Sequence, residues 1–243
     1  MTTLEKHLTR QAERSQNFFW NRLRWDLVCD RLPKTDSAVL VDVGAGPGFL
    51  GDFLRVHQPN IDYRFIEPLA GLERELEGRF GVEANIREAE TFGSARFVTL
   101  LDVLEHQEDD RGFLRELADK MEPGAILLLT VPAMPSLWSN WDVSLGHFRR
   151  YGKDTLLAAA AGLPFDITQL DYIFPELIPL GWFRKLRMRS SPENEVGSEV
   201  SAEFPDLPRW LDETLYRVGR GTMRFRRHWP AGTSLFAVLR RTA

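Results

Sequence analysis

Cysteine, charge of one sign and long apolar segments are all scarce in this chain of 243 residues. Cys29 is the single cysteine, so the chain can form no internal disulfide and has no second thiol for a zinc site. We interpret Cys29 as a buried, unreactive thiol, because residues 25–32 resemble one apolar face of a helix. The formal net charge of −4 gives no global basic field, so we expect no nucleic-acid partner.

The chain also lacks a segment suited to enter a membrane. Residues 1–16 mix charges without an apolar centre, unlike a secretory signal. The longest apolar runs, 125–131 and 173–183, fall short of the roughly 20 residues that span a bilayer. The hydrophobic content of 43% is ordinary for a soluble globule, and the length fits one compact body. Because neither a signal nor a spanning segment is recognisable, we expect one cytoplasmic domain over residues 1–243.

Apolar runs and helical patterns alternate along most of the chain, which predicts an α/β fold with a mostly parallel sheet and helices on both faces. The pattern divides into an N-terminal helical cap (1–33), a core (34–173 and 231–243) and a helical lid insertion (174–230). Four helices are predicted in the core, over residues 49–57, 72–80, 109–121 and 154–161. Seven strands are predicted over residues 38–43, 61–67, 82–86, 95–101, 125–131, 165–173 and 232–240.

The insertion has its own composition. Two cationic, aromatic, helix-like stretches, 181–189 and 208–228, flank an acidic, serine-rich segment over 190–206 that we expect to be a mobile loop. Residues 174–189 could make peripheral contact with an anionic lipid surface or cover a lipid-like substrate. The alternative is a lid helix packed on the protein with its arginines in water.

A glycine-rich loop, Asp42-Val43-Gly44-Ala45-Gly46-Pro47-Gly48, follows the first predicted strand. Glycines there leave bare backbone at the carboxyl edge of a sheet, where a nucleoside-type ligand can approach closely. Phe49 stands where the dinucleotide fingerprint requires its third glycine, which disfavours a pyrophosphate site. A strand-to-helix turn that needs glycine for purely structural reasons is the alternative.

The segment 41–48 resembles the first motif of class I S-adenosylmethionine-dependent methyltransferases, and with the strand pattern it indicates a Rossmann-like fold. In that family the loop wraps the amino-acid and ribose parts of S-adenosylmethionine, which the resemblance therefore implies as the cofactor. Glu67 ends the second predicted strand, where a carboxylate can accept both ribose hydroxyls, although a surface acid is the alternative. Glu88 is the candidate for the adenine amino group, although the family usually has aspartate after glycine at this point and Arg87 stands there instead.

The segment Leu101-Asp102-Val103-Leu104-Glu105-His106 resembles the Asp/Glu-x-Leu-Glu-His motif of quinone-biosynthesis and related small-molecule methyltransferases. Adjacent residues such as Glu105 and His106 diverge on a helix, so we predict no metal site and a capping or supporting role for His106. The predicted cofactor contacts are Asp42, Gly44, Ala45, Gly46, Gly48, Phe49, Glu67, Pro68, Glu88, Ala89, Leu101, Asp102, Val103 and His106.

The loop from Trp138 to Tyr151 is dense in aromatic and ionisable side chains. It resembles the Leu-Trp-Ser…Asp…Gly-His-x-Arg-Arg-Tyr segment of methyltransferases of types 11, 12 and 23, and residues 19–24 resemble their opening aromatic-arginine helix. His147 is the predicted catalytic residue, as a base that removes a proton from the acceptor. The predicted substrate contacts are Trp138, Asp142, Arg149, Arg150 and Tyr151.

Structural roles are the alternative for this loop. Asp142, His147, Arg149 and Arg150 could form an ion-pair network that pins the loop, and Trp138 and Tyr151 could serve packing. The predicted function is methyl transfer to an oxygen, nitrogen or carbon of a small-molecule or cell-envelope-type acceptor. A nicotinamide-dependent oxidoreductase and a non-catalytic S-adenosylmethionine-binding module remain the alternatives.

Overall fold

Six strands form one sheet in the computed structural model, which describes residues 18–87, 91–189 and 207–243. The strands are β1 (Ala38–Val43), β2 (Ile61–Ile66), β3 (Phe97–Leu101), β4 (Ile126–Pro132), β5 (Phe165–Ile173) and β6 (Ser234–Arg241). Their order across the sheet is β2-β1-β3-β4-β6-β5. The pairs β1–β2, β1–β3 and β3–β4 are parallel, whereas β6 runs antiparallel to both of its neighbours.

Eight α-helices surround the sheet in the described part of the chain. They are α1 (Phe19–Cys29), α2 (Phe49–His57), α3 (Ala70–Phe80), α4 (Asp110–Lys120), α5 (Asn140–Ser144), α6 (Lys153–Ala160), α7 (Ile178–Arg189) and α8 (Arg209–Arg224). The Rossmann-like α/β class is therefore confirmed.

Each face of the sheet has its own hydrophobic core. On one face, side chains of α4 and α6 such as Leu114 and Leu156 pack with Leu127 of β4. On the other face, Leu23 of α1 and Leu54 of α2 pack with strand residues whose side chains point to the opposite side of the sheet from Leu127. This alternation follows from the pleat of the strands, which sends successive side chains to opposite faces.

The third predicted strand, over residues 82–86, is not formed, which is why the sheet has six strands and not seven. Val82–Ala84 form one turn of 3₁₀ helix, and Asn85 makes a single bridge to Phe65. Ala84 and Ile86 are buried in the core, but Val82 is 68% exposed and the segment has one bridge in place of a ladder. The predicted strands four to seven correspond to β3–β6.

The helices at the two ends of the described chain pack together. The Phe19 amide at the start of α1 donates a hydrogen bond to Oδ1 of Asp212 in α8 at 2.8 Å. Arg22 of α1 bonds Oδ2 of the same aspartate at 2.7 Å. The predicted helical stretches 181–189 and 208–228 correspond to α7 and α8, whereas the predicted loop 190–206 lies outside the described residues.

None of the helices in the described ranges is both long and apolar enough to cross a bilayer.

The connections of the sheet determine where a ligand can bind. From β1 the chain proceeds to β2 on one side, while β3 lies on the other side of β1. Such a reversal of strand order opens a crevice beyond the carboxyl ends of the two strands. Here the crevice lies next to the ends of β1 and β3.

Candidate active site

The glycine-rich loop begins where β1 ends and depends on glycine for its shape. Gly44, Gly46 and Gly48 have φ values of +72°, +55° and +76°, a region that other residues rarely adopt. A Cβ atom on Gly44 would lie 2.7 Å from Cγ2 of Val103, so the loop can meet the segment after β3 only with glycine there. The backbone is therefore held close to the crevice.

Glu67 faces this loop from the end of β2. Its Oε2 accepts a hydrogen bond from the Gly46 amide at 2.7 Å, and its Oε1 accepts one from the Leu69 amide at 2.9 Å. Burial raises the pKa of Glu67, while the two amide donors oppose that shift. Each carboxylate oxygen has a further lone pair, so Glu67 can still accept hydroxyl donors of a ligand.

Asp42 lies buried at the end of β1, and no described residue places a cation beside its carboxylate. The hydroxyls of Thr99 and Tyr63 donate to Oδ1 at 2.7 Å and to Oδ2 at 3.0 Å. Burial raises the pKa of Asp42 from 3.8 to about 6, although both hydroxyls favour the charged form. A ligand that brings positive charge to this carboxylate would favour ionisation further.

Asp102, directly after β3, is held in a left-handed backbone conformation with φ of +55°. Its Oδ1 accepts a hydrogen bond from the Thr130 hydroxyl at 3.0 Å, and its Oδ2 forms an ion pair with Arg24 of α1. Backbone strain of this kind costs on the order of 1–3 kcal/mol and is concentrated at functional sites. The ion pair joins α1 to the carboxyl edge of the sheet.

A cavity of about 390 Å³ opens between this edge, α1 and α7. Among the predicted residues, those that line it are Asp42, Gly44, Ala45, Gly46, Phe49, Glu67, Pro68, Leu101, Asp102, Val103, His106, His147 and Arg150. Gly48 is outside the wall, because the space next to its α-carbon is filled by Leu76 and Phe80. Glu88 and Ala89 lie outside the described residues.

The loop after β4 is tied together by Asp142, which is fully buried. Oδ1 of Asp142 accepts from Arg150 Nε at 2.6 Å and contacts Nδ1 of His147 at 3.2 Å, and Oδ2 accepts from the Ser139 amide at 3.0 Å. Burial raises the pKa of Asp142, but its bonds to His147 and Arg150 outweigh it, and the net shift is downward. Asp142 is therefore behind the cavity wall and orients His147 and Arg150, which are in the wall.

Arg149 and Tyr151 form a second group, away from the cavity. Arg149 pairs with Asp110 at 2.8 Å, and the Tyr151 hydroxyl donates to Oδ2 of the same aspartate at 2.8 Å. Tyr151 is 1% exposed. Trp138 also does not line the cavity. For Asp142, Arg149 and Tyr151 the geometry matches the ion-pair and packing alternative rather than substrate contact.

Glu105 lies deeper in the site and was not predicted as a site residue. It is 1% exposed, and its Oε2 has no hydrogen-bond partner within the described part of the chain. Burial and the charge of Asp102 raise the pKa of Glu105 well above its usual value, while Arg24 and Arg150 oppose the shift. Such an unpaired buried oxygen is unusual in a folded protein.

Glu105, His106 and His147 are close together, contrary to the expectation that Glu105 and His106 diverge. One potential ligand atom of each residue lies within 4.8 Å of those of the other two. The expectation was wrong because Leu104–His106 form a 3₁₀ turn at the edge of the cavity instead of part of a longer helix. The rings of His106 and His147 meet edge to face, with centroids 4.8 Å apart.

Residues of α1 and α7 also line the cavity, although none of them was predicted as a site residue. They are Trp20, Asn21, Arg24 and Trp25 of α1 and Leu180, Gly181 and Arg184 of α7, and Trp141 of α5 lines the cavity as well. The guanidinium of Arg184 lies over the ring of Trp141 at 4.0 Å. The aromatic-arginine pattern of residues 19–24 was a usable signal for α1, whereas α7 offered only a cationic, apolar composition.

Comparisons with known proteins agree with this geometry. The profile of the family described as "Methyltransferase domain" matches residues 16–170. The O-methyltransferase ucdC of Aspergillus ustus is 29% identical over 143 residues, which cover 56% of this chain and 37% of the fungal protein. The chain thus spans well under half of the length of that curated relative.

Solved structures share the fold at low sequence identity. Phosphoethanolamine N-methyltransferase 2 of Haemonchus contortus, in complex with S-adenosyl-L-methionine, has a TM-score of 0.58 at 13% identity, covering 92% of this chain and 53% of that one. Geranyl diphosphate C-methyltransferase of Streptomyces coelicolor, in complex with S-adenosyl-L-homocysteine, has a TM-score of 0.55 at 12% identity, covering 90% and 77%.

Proposed function

This chain belongs to the methyltransferase-domain family, and we propose that it transfers a methyl group from S-adenosylmethionine to an oxygen, nitrogen or carbon atom of a small-molecule acceptor. The observation that carries the proposal is the contact between Glu67 and the glycine-rich loop. A carboxylate held by the Gly46 and Leu69 amides faces a cavity at the reversal of strand order. That is the place where open α/β sheets bind nucleoside ligands.

The cofactor occupies the end of the cavity formed by the loop, Glu67 and Asp42. Glu67 accepts the ribose hydroxyls with its remaining lone pairs, and the bare backbone at Gly44 and Gly46 lets the amino-acid part approach. Val103 packs against the adenine or methionine part. The cavity volume of about 390 Å³ is within the roughly 300–1,000 Å³ usual for small-ligand sites.

The acceptor enters at the opposite end, between α1 and α7. That end combines the apolar side chains of Trp20 and Leu180 with the guanidiniums of Arg150 and Arg184. Such a surface favours an acceptor with an apolar body and a polar or anionic group. A lipid-like acceptor has this character.

The transfer itself is a displacement at an already activated sulfonium carbon, so positioning and exclusion of water can supply much of the rate. The acceptor atom forms a bond to the methyl carbon while the carbon–sulfur bond breaks, and S-adenosylhomocysteine leaves. His147 remains the predicted proton acceptor. Asp142 contacts its Nδ1, which leaves Nε2 to face a substrate.

Calorimetric titration with S-adenosylhomocysteine tests the cofactor assignment. We expect the wild type to bind it and Glu67→Gln to bind at least about tenfold more weakly, because an amide cannot accept hydrogen bonds at both of its terminal atoms. Glu116→Gln, at an exposed glutamate of α4, is the matched control and should bind normally. Binding of NADH instead would support the oxidoreductase alternative and overturn the proposal.

Transfer of labelled methyl from S-adenosylmethionine into small-molecule extracts tests the activity. Labelled product that requires Glu67 is the expected result. Tight cofactor binding with no transfer to any acceptor pool would favour the non-catalytic binding module.

We also propose that α7 brings the site to a lipid surface. Phe183 and Leu186 are 61% and 59% exposed, and Trp182 is 40% exposed. Residues 184–189 supply four cations in sequence, at positions 184, 185, 187 and 189. Exposed apolar side chains beside cations are typical of helices that lie in the interface of anionic membranes.

A further inference from the structure

We propose that Glu105, His106 and His147 form a binding site for one divalent transition-metal ion at the acceptor end of the cavity. Their potential ligand atoms lie within 4.8 Å of one another, and all three residues line the cavity. Two imidazoles and one carboxylate are a usual ligand set for catalytic zinc and for non-haem iron, with open positions left for a substrate.

The unpaired oxygen of Glu105 is the first independent support. Oε2 is buried and has no hydrogen-bond partner among the described residues, in a side chain that is 1% exposed. A buried polar atom without a partner costs roughly 1–3 kcal/mol, more for a charged group, and such an atom commonly marks an ion or water site. A bound cation would supply the missing partner.

The environment of the His147 side chain is the second independent support for the metal site. Its side chain is 9% exposed, and Nδ1 contacts Oδ1 of the fully buried Asp142 at 3.2 Å. A carboxylate at one ring nitrogen fixes the tautomer and leaves the other nitrogen with its lone pair available, as in carboxylate–histidine–metal arrangements. His147 would therefore bind the ion through Nε2.

Nearby guanidiniums do not compete with the ion for Glu105. Arg24 and Arg150 are the guanidiniums that act on Glu105, and each is paired with an aspartate, Asp102 and Asp142 respectively. Neither guanidinium is thus an ion-pair partner of Glu105, and a bound cation would take the place of the proton that burial favours on this carboxyl group. Imidazole ligands favour Zn²⁺, Co²⁺ or Fe²⁺ over Mg²⁺.

The role of the ion rests on the proposed function, whereas binding of the ion does not. A hydroxyl oxygen of the acceptor at an open coordination position would lose its proton more readily, because the ion stabilises the oxyanion. The proton passes to water, the oxygen forms its bond to the methyl carbon, and the electron pair of the broken bond stays on sulfur. A ring nitrogen that coordinates an ion cannot accept a proton, so His147 would then be a ligand and not the base.

Metal titration of tag-free, chelator-treated protein is the test. We expect calorimetry to show one equivalent of Zn²⁺, undisturbed by millimolar Mg²⁺, and Co²⁺ to give visible absorption bands of a low-symmetry site. His106→Ala, His147→Ala and Glu105→Gln should each weaken Zn²⁺ binding by about a hundredfold or more. Asp142→Asn, which acts through His147, should weaken it by about 10–100-fold.

His57→Ala and His228→Ala, at exposed histidines, are the controls and should keep full affinity. Titration with S-adenosylhomocysteine and thermal unfolding are measured on every variant, so that loss of the fold or of the cofactor site is recognised separately. Zn²⁺ binding that is absent from the wild type, or that persists unchanged in a folded His106→Ala or His147→Ala variant, would overturn the metal site without touching the proposed methyl transfer.

Discussion

Buried carboxylates distinguish this site from the rest of the sheet. Asp42, Glu67 and Glu105 are each no more than 6% exposed, and none of them forms a salt bridge with another described residue. Burial therefore raises the pKa of all three. Retaining such residues lowers the stability of the empty protein, which is a usual consequence of building a binding site.

The loss of stability caused by burying Asp42 should be measurable as a pH dependence of the free energy of unfolding. Its pKa rises from 3.8 to about 6 on folding, so the folded state holds a proton between these values that the unfolded state has released. The penalty for the charged form, about 3 kcal/mol, is present above pH 6 and disappears as the pH falls towards 4. Relative to Asp42→Asn, the wild type should gain stability in urea titrations as the pH is lowered from 7 to 4.

The exposed Asp62 offers the control for this measurement. Asp62→Asn should keep the pH profile of the wild type, because its side chain is 55% exposed. Parallel profiles for wild type and Asp42→Asn would show that Asp42 does not titrate differently on folding.

Gly44→Ala tests the two reasons for glycine in the loop, which are its positive φ and the close approach of Val103. A second glycine-to-alanine variant measures the effects of the substitution that do not depend on this site. The new Cβ would meet Val103 Cγ2 at 2.7 Å at a φ of +72°, so we expect lower stability by about 1–2 kcal/mol and weaker binding of S-adenosylhomocysteine. Gly71→Ala in α3, where nothing lies within 4 Å of the new atom, should instead stabilise by up to about 1 kcal/mol. Thermal unfolding and calorimetry of the two variants give opposite signs if this account is right.

At the scale of elements, the contact of α1 with α8 controls one wall of the cavity. Asp212 of α8 accepts from the Phe19 amide and from Arg22, and α1 in turn holds Arg24 against Asp102. Asp212→Ala removes both bonds from partly buried partners, so we expect a loss of about 1–3 kcal/mol. Hydrogen exchange should accelerate in α1, while the exposed control Asp119→Ala in α4 leaves it unchanged. Unchanged exchange in α1 would mean that apolar packing alone holds the helix.

The secondary-structure elements also show which parts of the fold could be predicted from the sequence alone. Strands with continuous apolar runs, such as β1 and β4, were predicted within one residue because burial on both faces demands that composition. The absent strand at 82–86 could not be excluded in this way, because its short alternation gives the same pattern as a turn with one bridge. Glu67 and Asp42 were predictable from their positions at strand ends. The approach of His147 to Glu105 was not, because His147 lies on a loop about 40 residues downstream and only the tertiary structure places that loop beside Glu105.

At the scale of the whole molecule, the distribution of charge matters more than its total. The chain carries a formal net charge of −4, which would repel an anionic membrane, yet residues 184–189 carry four cations and no acid. Within about one Debye length of a surface, local charge dominates over distant charge. We therefore expect co-sedimentation with vesicles that contain anionic lipid, weakened by salt, and little with neutral vesicles.

A double substitution tests whether α7 is the part that binds the vesicles. Phe183→Ser with Leu186→Ser removes two side chains that are 61% and 59% exposed, and we expect the bound fraction to fall several-fold, because burial of their apolar area in the interface is lost. Val56→Ser with Val82→Ser removes two residues that are 74% and 68% exposed elsewhere, and it should bind like the wild type. Equal loss in both double variants would indicate non-specific adsorption, and equal binding would remove α7 from any membrane role. In either case an apolar acceptor would have to reach Trp20 and Leu180 through water, which favours a small acceptor over a lipid still embedded in its bilayer.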